Sequence, residues 1–169
     1  KAKINLNLRN AANWDEVVYL VAQAADQARY GEWIIGRGWH QEKWNPSPMN
    51  NVNGYPMHET LSNATPNNPV MLSHASGHAI FANQRAMNIA GITSETADPR
   101  GGKIIRDNEG SPIGVFMEEA ELLISDHYEN YINSLSPEEQ INNKKKAIEL
   151  AMDECLSKGI TTLHDAGAS

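Results

Sequence analysis

The chain has 169 residues, of which 40% are hydrophobic and 21% are charged, enough for the core of one ordinary domain. Its 14 Lys and Arg stand against 21 Asp and Glu, and this net charge of −7 argues against nucleic-acid binding, which needs clustered basic residues. No apolar run approaches the roughly 18 residues of a membrane span, so we expect no membrane partner. The composition is that of a soluble protein, and we expect it in the cytoplasm.

Both ends of the sequence lie next to strand-like patterns. The chain begins at Lys1 and runs directly into alternating apolar and polar residues at positions 4–8. It stops at Ser169, just after a second strand-like run. We therefore expect this chain to be a fragment of a longer protein.

The first half of the sequence alternates helical and extended patterns. Asn13 is a suitable N-cap, and apolar residues at helical spacing follow it. A later segment holds three prolines and is predicted to be a loop without regular elements. In chain order, the pattern predicts a helix at 14–29, a strand at 33–39, this loop at 45–56, a short helix at 58–64 and a strand at 69–73.

The second half contains a hairpin and two longer helices. A polar turn, Asp107–Gly110, separates two short apolar runs. Ser136, followed by Pro and two Glu residues, is a typical helix start. The pattern predicts a helix at 83–90 and the two hairpin strands at 103–106 and 113–116. It then predicts helices at 118–133 and 137–158 and a final strand at 160–164. Together these elements predict an α+β fold.

Two positions have residues suited to catalysis or metal binding. Glu118 and Glu119 are predicted to begin a helix directly after a strand; alternatively, they are first-turn acids that the helix dipole favours. His164 and Asp165 close the final predicted strand, and catalytic groups collect at the C-terminal ends of barrel strands. The alternative for this second pair is a strand-end His followed by a turn-forming Asp.

His74 and His78 lie four residues apart, which is the spacing of a zinc-binding pair on a helix. Ser76 and Gly77 lie between them and disfavour a continuous helix. The spacing therefore does not favour a metal site at these two histidines.

Four segments, taken in order, resemble one family. They are Trp33–Gln41; Pro69–Leu72 with Gly77–Ala79 and Asn83; Gly101–Ala120; and Gly159–Gly167. The chain resembles amidohydrolase family 3 of the metal-dependent hydrolase superfamily, in the branch that includes N-substituted formamide deformylase. One departure from the family is position 40, which is usually Asp and is here His40.

The resemblance implies a longer enzyme built on a (β/α)8 barrel with an inserted unit. It implies an early barrel segment at residues 1–30, an inserted α+β unit of roll-like architecture at 31–118, and the return into the barrel at 119–169. The family's His-x-His metal motif would lie before Lys1, and its later metal histidines and catalytic Asp after Ser169.

The resemblance also implies an activity. The intact protein is expected to hydrolyse carbon–nitrogen, amide-type bonds in a small-molecule substrate, using water activated by a divalent metal, expected to be zinc. We expect the fragment alone to be inactive and to bind no metal. Position in the family's motifs implies a role for each candidate residue. Glu118 is expected to be a metal-proximal carboxylate, and His164 and Asp165 are expected to be catalytic groups. The expected substrate contacts are Trp39, His78 and Asn83.

The alternative is a non-catalytic inserted module. Such a unit would close the substrate pocket or contact another subunit in the parent enzyme, and would be inert by itself. The expected partners are then the remainder of the parent enzyme or, in a homo-oligomer, a second copy that covers exposed strand edges.

Overall fold

The computed structural model describes residues 5–162 and His164. The strands are β1 (Leu6–Asn7), β2 (Ile34–Trp39), β3 (Asn51–Val52), β4 (Tyr55–Pro56), β5 (Val70–His74), β6 (Ala79–Ala82), β7 (Gly102–Arg106) and β8 (Pro112–Glu118). The helices are α1 (Trp14–Gln27), α2 (Glu59–Ala64), α3 (Gln84–Ile89), α4 (Leu122–Ser134) and α5 (Pro137–Ser157). This mixture of a sheet and helices confirms the predicted α+β class.

A six-stranded sheet in the order β1-β2-β5-β6-β8-β7 organises the described chain. The strands β1, β2 and β5 run parallel, with α1 as the crossover between β1 and β2. From β5 onward the pairing is antiparallel. The C-terminal ends of the parallel strands therefore share one edge with the start of β6 and the end of β8. We call this the carboxyl edge; its strand-end residues are Asn7, Trp39, His74, Ala79 and Glu118.

Helices cover both faces of this sheet because successive strand residues point to opposite sides. On one face, α1 and α2 pack on Leu72 and Phe81. On the other face, α3 and α4 pack on Ile104 and Phe116. The intervening strands are therefore buried from both sides, which fixes the position of the carboxyl edge.

Most of the predicted elements are present with shifted ends, including the hairpin of β7 and β8. The prediction of a structureless loop at 45–56 is wrong, because β3 and β4 form a small hairpin there. Asn53 and Gly54 occupy its turn with φ values of 52° and 84°. An Asn-Gly pair with positive φ is the favoured two-residue hairpin turn.

Three further elements differ from the predictions. The sequence pattern did not predict the strand β6. The helix predicted from Glu118 starts later, because Glu118 ends β8, residues Glu119–Glu121 form a 3-10 turn and α4 begins at Leu122. The strand predicted at 160–164 is also wrong: residues 160–162 and His164 have no regular structure.

The last helix, α5, is exposed along its length, and its first turn is joined to the segment after α1 by an ion pair between Glu139 and Arg29 at 3.2 Å. Ser136 caps it in a capping box with Glu139, which confirms the predicted start. No residue of α5 is buried among the described residues. Its exposed apolar side chains include Ile141, Ile148 and Met152. None of the helices in the described part of the chain is long and apolar enough to cross a membrane.

Candidate functional site at the carboxyl edge

Antiparallel pairing brings His78 and Glu118 together at the carboxyl edge. Ala79 on β6 pairs with Met117 on β8, so the residues beyond them lie side by side. The Glu118 N–H donates to the His78 carbonyl at 3.2 Å, and His78 Nδ1 lies 3.2 Å from Glu118 Oε2. The two side chains are 66% and 54% exposed, respectively, so a ligand can reach both. The structure thus joins two of the predicted site residues.

The backbone of Glu118 has an unusual conformation, with φ 50° and ψ −128°. A non-glycine residue in such a region costs about 1–3 kcal/mol, and residues of this kind cluster at functional sites. The adjacent 3-10 turn packs tightly on β7: a Cβ added to Gly102 would lie 2.1 Å from the Ala120 nitrogen. This close packing fixes the point where the chain leaves β8 and thereby holds Glu118 at the edge.

The surroundings of Glu118 are acidic. Partial burial raises the pKa of the nearby Glu121 carboxyl, the Glu118 charge raises it further, and His78 acts in the opposite direction. A carboxyl group whose pKa is raised by a neighbouring carboxylate lies in a region of negative potential. Such a site favours a bound cation.

A second pair at the same edge consists of His40 and His74, whose ring centroids lie 4.7 Å apart. The Ser76 N–H donates to His74 Nδ1 at 3.1 Å, so His74 Nε2 carries the proton and donates to Gln41 Oε1 at 3.1 Å. Burial lowers the pKa of His74, and His40 lowers it further, against an opposing effect of Glu42. His74 is therefore a neutral imidazole held in one orientation.

His40 carries the other polar atom of interest in this pair. Its Nδ1 is buried and has no hydrogen-bond partner within the described chain. Sequence reasoning noted His40 only as a departure from the family's Asp and considered His74 only with His78. The signal that could have found the pair is that each histidine directly follows a predicted strand, His40 the strand at 33–39 and His74 the strand at 69–73.

Two predicted substrate-contact residues lie in the interior. Trp39 is fully buried, and its indole N–H donates to the Leu72 carbonyl at 2.8 Å. Asn83 is also fully buried and caps α3, accepting from the Ala86 N–H at 3.0 Å. The burial and hydrogen bonds of both side chains are explained by their roles in the fold. Their contact with substrate stays a prediction.

The remaining predicted residues lie near the end of the chain. His164 is exposed, and the described part of the chain gives it no hydrogen bond to His78 or Glu118. Asp165 lies outside the described residues. Within residues 5–162 and His164, no group of three or more His, Cys, Asp or Glu side chains is arranged to hold a metal ion. Glu118 and His78 offer carboxylate and imidazole groups, which are zinc ligand types, so they fit part of a ligand set.

Comparison with known protein sequences gives one consistent family. The model of the amidohydrolase family matches residues 2–169. Protein LONG AFTER FAR-RED 3 of Arabidopsis thaliana is 32% identical over 162 residues, 96% of this chain and 25% of that protein. N-substituted formamide deformylase of Arthrobacter pascens is 32% identical over 163 residues, 92% of this chain and 27% of that enzyme. Putative amidohydrolase YtcJ of Bacillus subtilis is 28% identical over 167 residues, 99% of this chain and 29% of that protein.

Solved structures agree at the level of the fold. An uncharacterized metal-dependent hydrolase from Pyrococcus horikoshii OT3 matches with a TM-score of 0.58 and 21% identity, over 88% of this chain and 25% of that one. Another from Pyrococcus furiosus matches with a TM-score of 0.54 and 22% identity, over 94% of this chain and 27% of that one. The chain thus spans between a quarter and three tenths of the proteins it matches. It belongs to amidohydrolase family 3, as the resemblance of its four sequence segments predicted.

Proposed function

We propose that this chain is part of a longer hydrolase that cleaves carbon–nitrogen, amide-type bonds in a small-molecule substrate. The match to the family along residues 2–169 supports this proposal. The relatives' names also support it, because one is an N-substituted formamide deformylase and the structural neighbours are metal-dependent hydrolases. A divalent metal, for which we propose zinc, supplies a Lewis acid and lowers the pKa of a bound water when it is present.

We assign Glu118 as the carboxylate nearest the metal. The observation that carries this assignment is the exposed Glu118 side chain, held at the carboxyl edge by a positive-φ backbone. His78 donates to Glu118 Oε2 and so orients the carboxylate, as partners of metal ligands generally do. The neighbouring Glu121 adds negative potential that favours a cation.

The other site residues take different roles in this proposal. The His78 side chain is 66% exposed beside Glu118, where it can contact the substrate. Trp39 and Asn83 act indirectly on the substrate pocket. Trp39 holds β2 against β5, and Asn83 caps α3. His164 and Asp165 are proposed as catalytic groups from their place in the family's final motif.

For the organisation of the longer protein, we propose an early barrel segment at residues 1–30, an inserted unit at 31–118 and a return into the barrel at 119–169. The succession of β1 and α1 supports the barrel segment, because (β/α)8 barrels are built from a strand followed by a helix. The antiparallel part from β6 to β8 supports an insertion. Since β1 pairs with β2, the first two units share one sheet.

The alternative function is a non-catalytic module that closes a substrate pocket or contacts another subunit. The exposed apolar side chains of α5, including Ile148 at 58% and Leu156 at 60% exposure, favour this second candidate. Such side chains are expected to pack against further protein, either the rest of the parent enzyme or a second copy.

The test compares Glu118→Gln with Glu119→Gln in the full-length protein. Glu119 is the adjacent exposed acid, so its variant controls for the loss of one charge at this edge. If Glu118 is a ligand, metal affinity falls by about 10–100-fold or more, as it does when partners of ligands are lost, and turnover of an N-substituted formamide falls with it. The Glu119 variant should retain both.

Several outcomes are informative. Full metal content with near-normal turnover in Glu118→Gln would remove Glu118 from the site. A full-length protein that binds metal but hydrolyses no amide would count against the proposed reaction. An inactive, metal-free protein that still forms a complex through α5 would favour the non-catalytic module.

A further inference from the structure

The turn of the β3–β4 hairpin contains a chemically reactive dipeptide, Asn53-Gly54. Asn53 is the only Asn in the sequence that is followed by Gly. The side-chain amide of an Asn can be attacked by the backbone nitrogen of the next residue, and Gly obstructs this attack least because it has no side chain. Asn53 is also exposed, so water reaches it. This turn is therefore the place in the chain where an Asn is most open to spontaneous chemical change.

The structure places one restraint on this chemistry. The Gly54 N–H, which carries the attacking nitrogen, donates to Asn51 Oδ1 at 3.0 Å. The Asn51 Nδ2 donates in turn to the Pro48 carbonyl at 2.8 Å, so the side chain that holds the Gly54 N–H is itself held. The attack requires that the Gly54 nitrogen lose its proton, and a hydrogen bond to an acceptor keeps the proton in place. The Asn51 side chain therefore opposes the reaction.

The hairpin turn packs on a residue that orients His74 at the carboxyl edge. A Cβ added to Gly54 would lie 3.9 Å from Gln41 Cγ, and Gln41 Oε1 accepts from His74 Nε2 at 3.1 Å. The next residue, Tyr55, meets Trp39 edge-on with ring centroids 6.2 Å apart. A change in the charge or the backbone length of the turn is therefore made against Gln41, close to the candidate site.

We propose that Asn53 is a site of spontaneous deamidation and that Asn51 controls its rate. The Gly54 nitrogen loses its proton to solvent and attacks Asn53 Cγ. A bond between this nitrogen and Cγ forms, the bond between Cγ and Nδ2 breaks, and the amide group takes up a proton and leaves as ammonia. The product is a five-membered succinimide ring. Water is the only other reactant that the reaction needs.

Water opens the succinimide in two ways. Cleavage of the new bond to Cγ leaves Asp at position 53. Cleavage of the original peptide bond leaves isoaspartate, in which the main chain runs through the side-chain carbon and is longer by one carbon atom. Both products have a carboxylate in place of the neutral amide. The isoaspartate also no longer fits the two-residue turn that an Asn-Gly pair with positive φ forms.

Timed incubation of the full-length protein at mildly alkaline pH, followed by peptide mapping with mass spectrometry, tests the proposal. A synthetic peptide of residues 50–57, incubated alongside, gives the rate without the fold. We expect Asp and isoaspartate to form at position 53 more slowly in the protein than in the peptide. Asn51→Ala should accelerate the reaction in the protein by about 2–10-fold, the factor that corresponds to one net hydrogen bond.

Two further variants separate the acceptor from the general stability of the hairpin. Asn51→Asp keeps an oxygen acceptor for the Gly54 N–H and loses the donor to Pro48, so it should react as slowly as the parent. Asn50→Ala, at the adjacent exposed position, is the control and should also react as the parent does. Melting temperatures of the variants show that each remains folded.

Three outcomes would contradict the proposal. Equal rates in the parent, Asn51→Ala and Asn51→Asp would overturn the role of Asn51, as would a parent protein that reacts as fast as the peptide. No modification at position 53 in Asn51→Ala, over a time in which the peptide is fully converted, would overturn the proposal altogether. The readout is the mass of a peptide and does not depend on hydrolytic activity, so it is separate from the test of Glu118.

Discussion

Replacing Asn83 with Ala should separate a structural role from a role in substrate binding. The Asn83 side chain is fully buried and joins three parts of the chain. Its Oδ1 accepts from the Val70 N–H at the start of β5 and from the Ala86 N–H of α3, each at 3.0 Å. Its Nδ2 donates to the carbonyls of Thr65 and Asn68 at 3.1 and 2.8 Å. An Ala side chain makes none of these bonds.

The expected cost follows from the groups left behind. Loss of the cap of α3 costs about 1 kcal/mol. The Val70 N–H then stays buried without its side-chain acceptor, which costs about 1–3 kcal/mol. The two carbonyls lose a shared donor as well. We therefore expect Asn83→Ala to lower the free energy of unfolding by about 3–5 kcal/mol, a large part of the 5–15 kcal/mol that is typical of a domain.

Urea unfolding, followed by circular dichroism, measures this change. Asn88→Ala is the matched control: it lies on the same helix, is exposed, and accepts one hydrogen bond from Gln84 Nε2 at 2.8 Å. The control should change the free energy of unfolding by less than about 0.5 kcal/mol. If Asn83→Ala were as stable as the control while substrate binding by the full-length protein was lost, the structural argument would be refuted.

Two further predictions concern the carboxyl edge. Burial lowers the pKa of His74 in the folded state. Below about pH 6.5 the unfolded state therefore binds more protons than the folded state, and the free energy of unfolding decreases as the pH decreases. His74→Gln should flatten this fall between about pH 7.5 and about pH 5.5, as measured by urea unfolding at each pH. Gly102→Ala should destabilise by about 3 kcal/mol, because the new Cβ meets the backbone of Ala120, and the exposed Lys103→Ala should not. An unchanged melting temperature in Gly102→Ala would contradict the close packing of the 3-10 turn on β7.

The sequence predicted best those elements whose ends are encoded locally. Asn13 caps α1 by accepting from the Glu16 N–H at 2.9 Å, as the spacing of the two residues indicated. Asp107 closes the hairpin turn by accepting from the Ser111 N–H at 2.8 Å. The capping box at Ser136 is likewise complete within four residues. Interactions of this range need no knowledge of the rest of the fold.

The elements that depend on distant partners were missed. All four residues of β6 are buried, so its segment lacks the alternation of apolar and polar residues that marks a half-exposed strand. Only its pairing with β5 and β8 makes it a strand. The hairpin of β3 and β4 was hidden by the prolines around it, although its Asn53-Gly54 turn was visible in the sequence.

The candidate site was predictable in its residues and not in its geometry. Glu118 and His78 are 40 residues apart, and only the antiparallel register of β6 and β8 brings them into contact. The positive φ of Glu118 could not be expected either, because Gly and Asn are the usual residues at such positions. The resemblance to the family supplied the two residues, and the sheet supplies their contact.

The predicted site residues fall into two groups. One group lies in the interior and stabilises the fold, and the other lies exposed at the carboxyl edge. Trp39 and Asn83 are buried and hydrogen-bonded within the fold, so their replacement should act first on stability. Glu118 and His78 are more than half exposed, and an exposed pair of this kind contributes at most about 1 kcal/mol to folding. A loss of metal or turnover in Glu118→Gln could therefore not be attributed to unfolding. The strained backbone at Glu118 has a cost that the exposed pair does not offset, and the proposed role of its carboxylate in ligand binding would explain both the strain and the exposure.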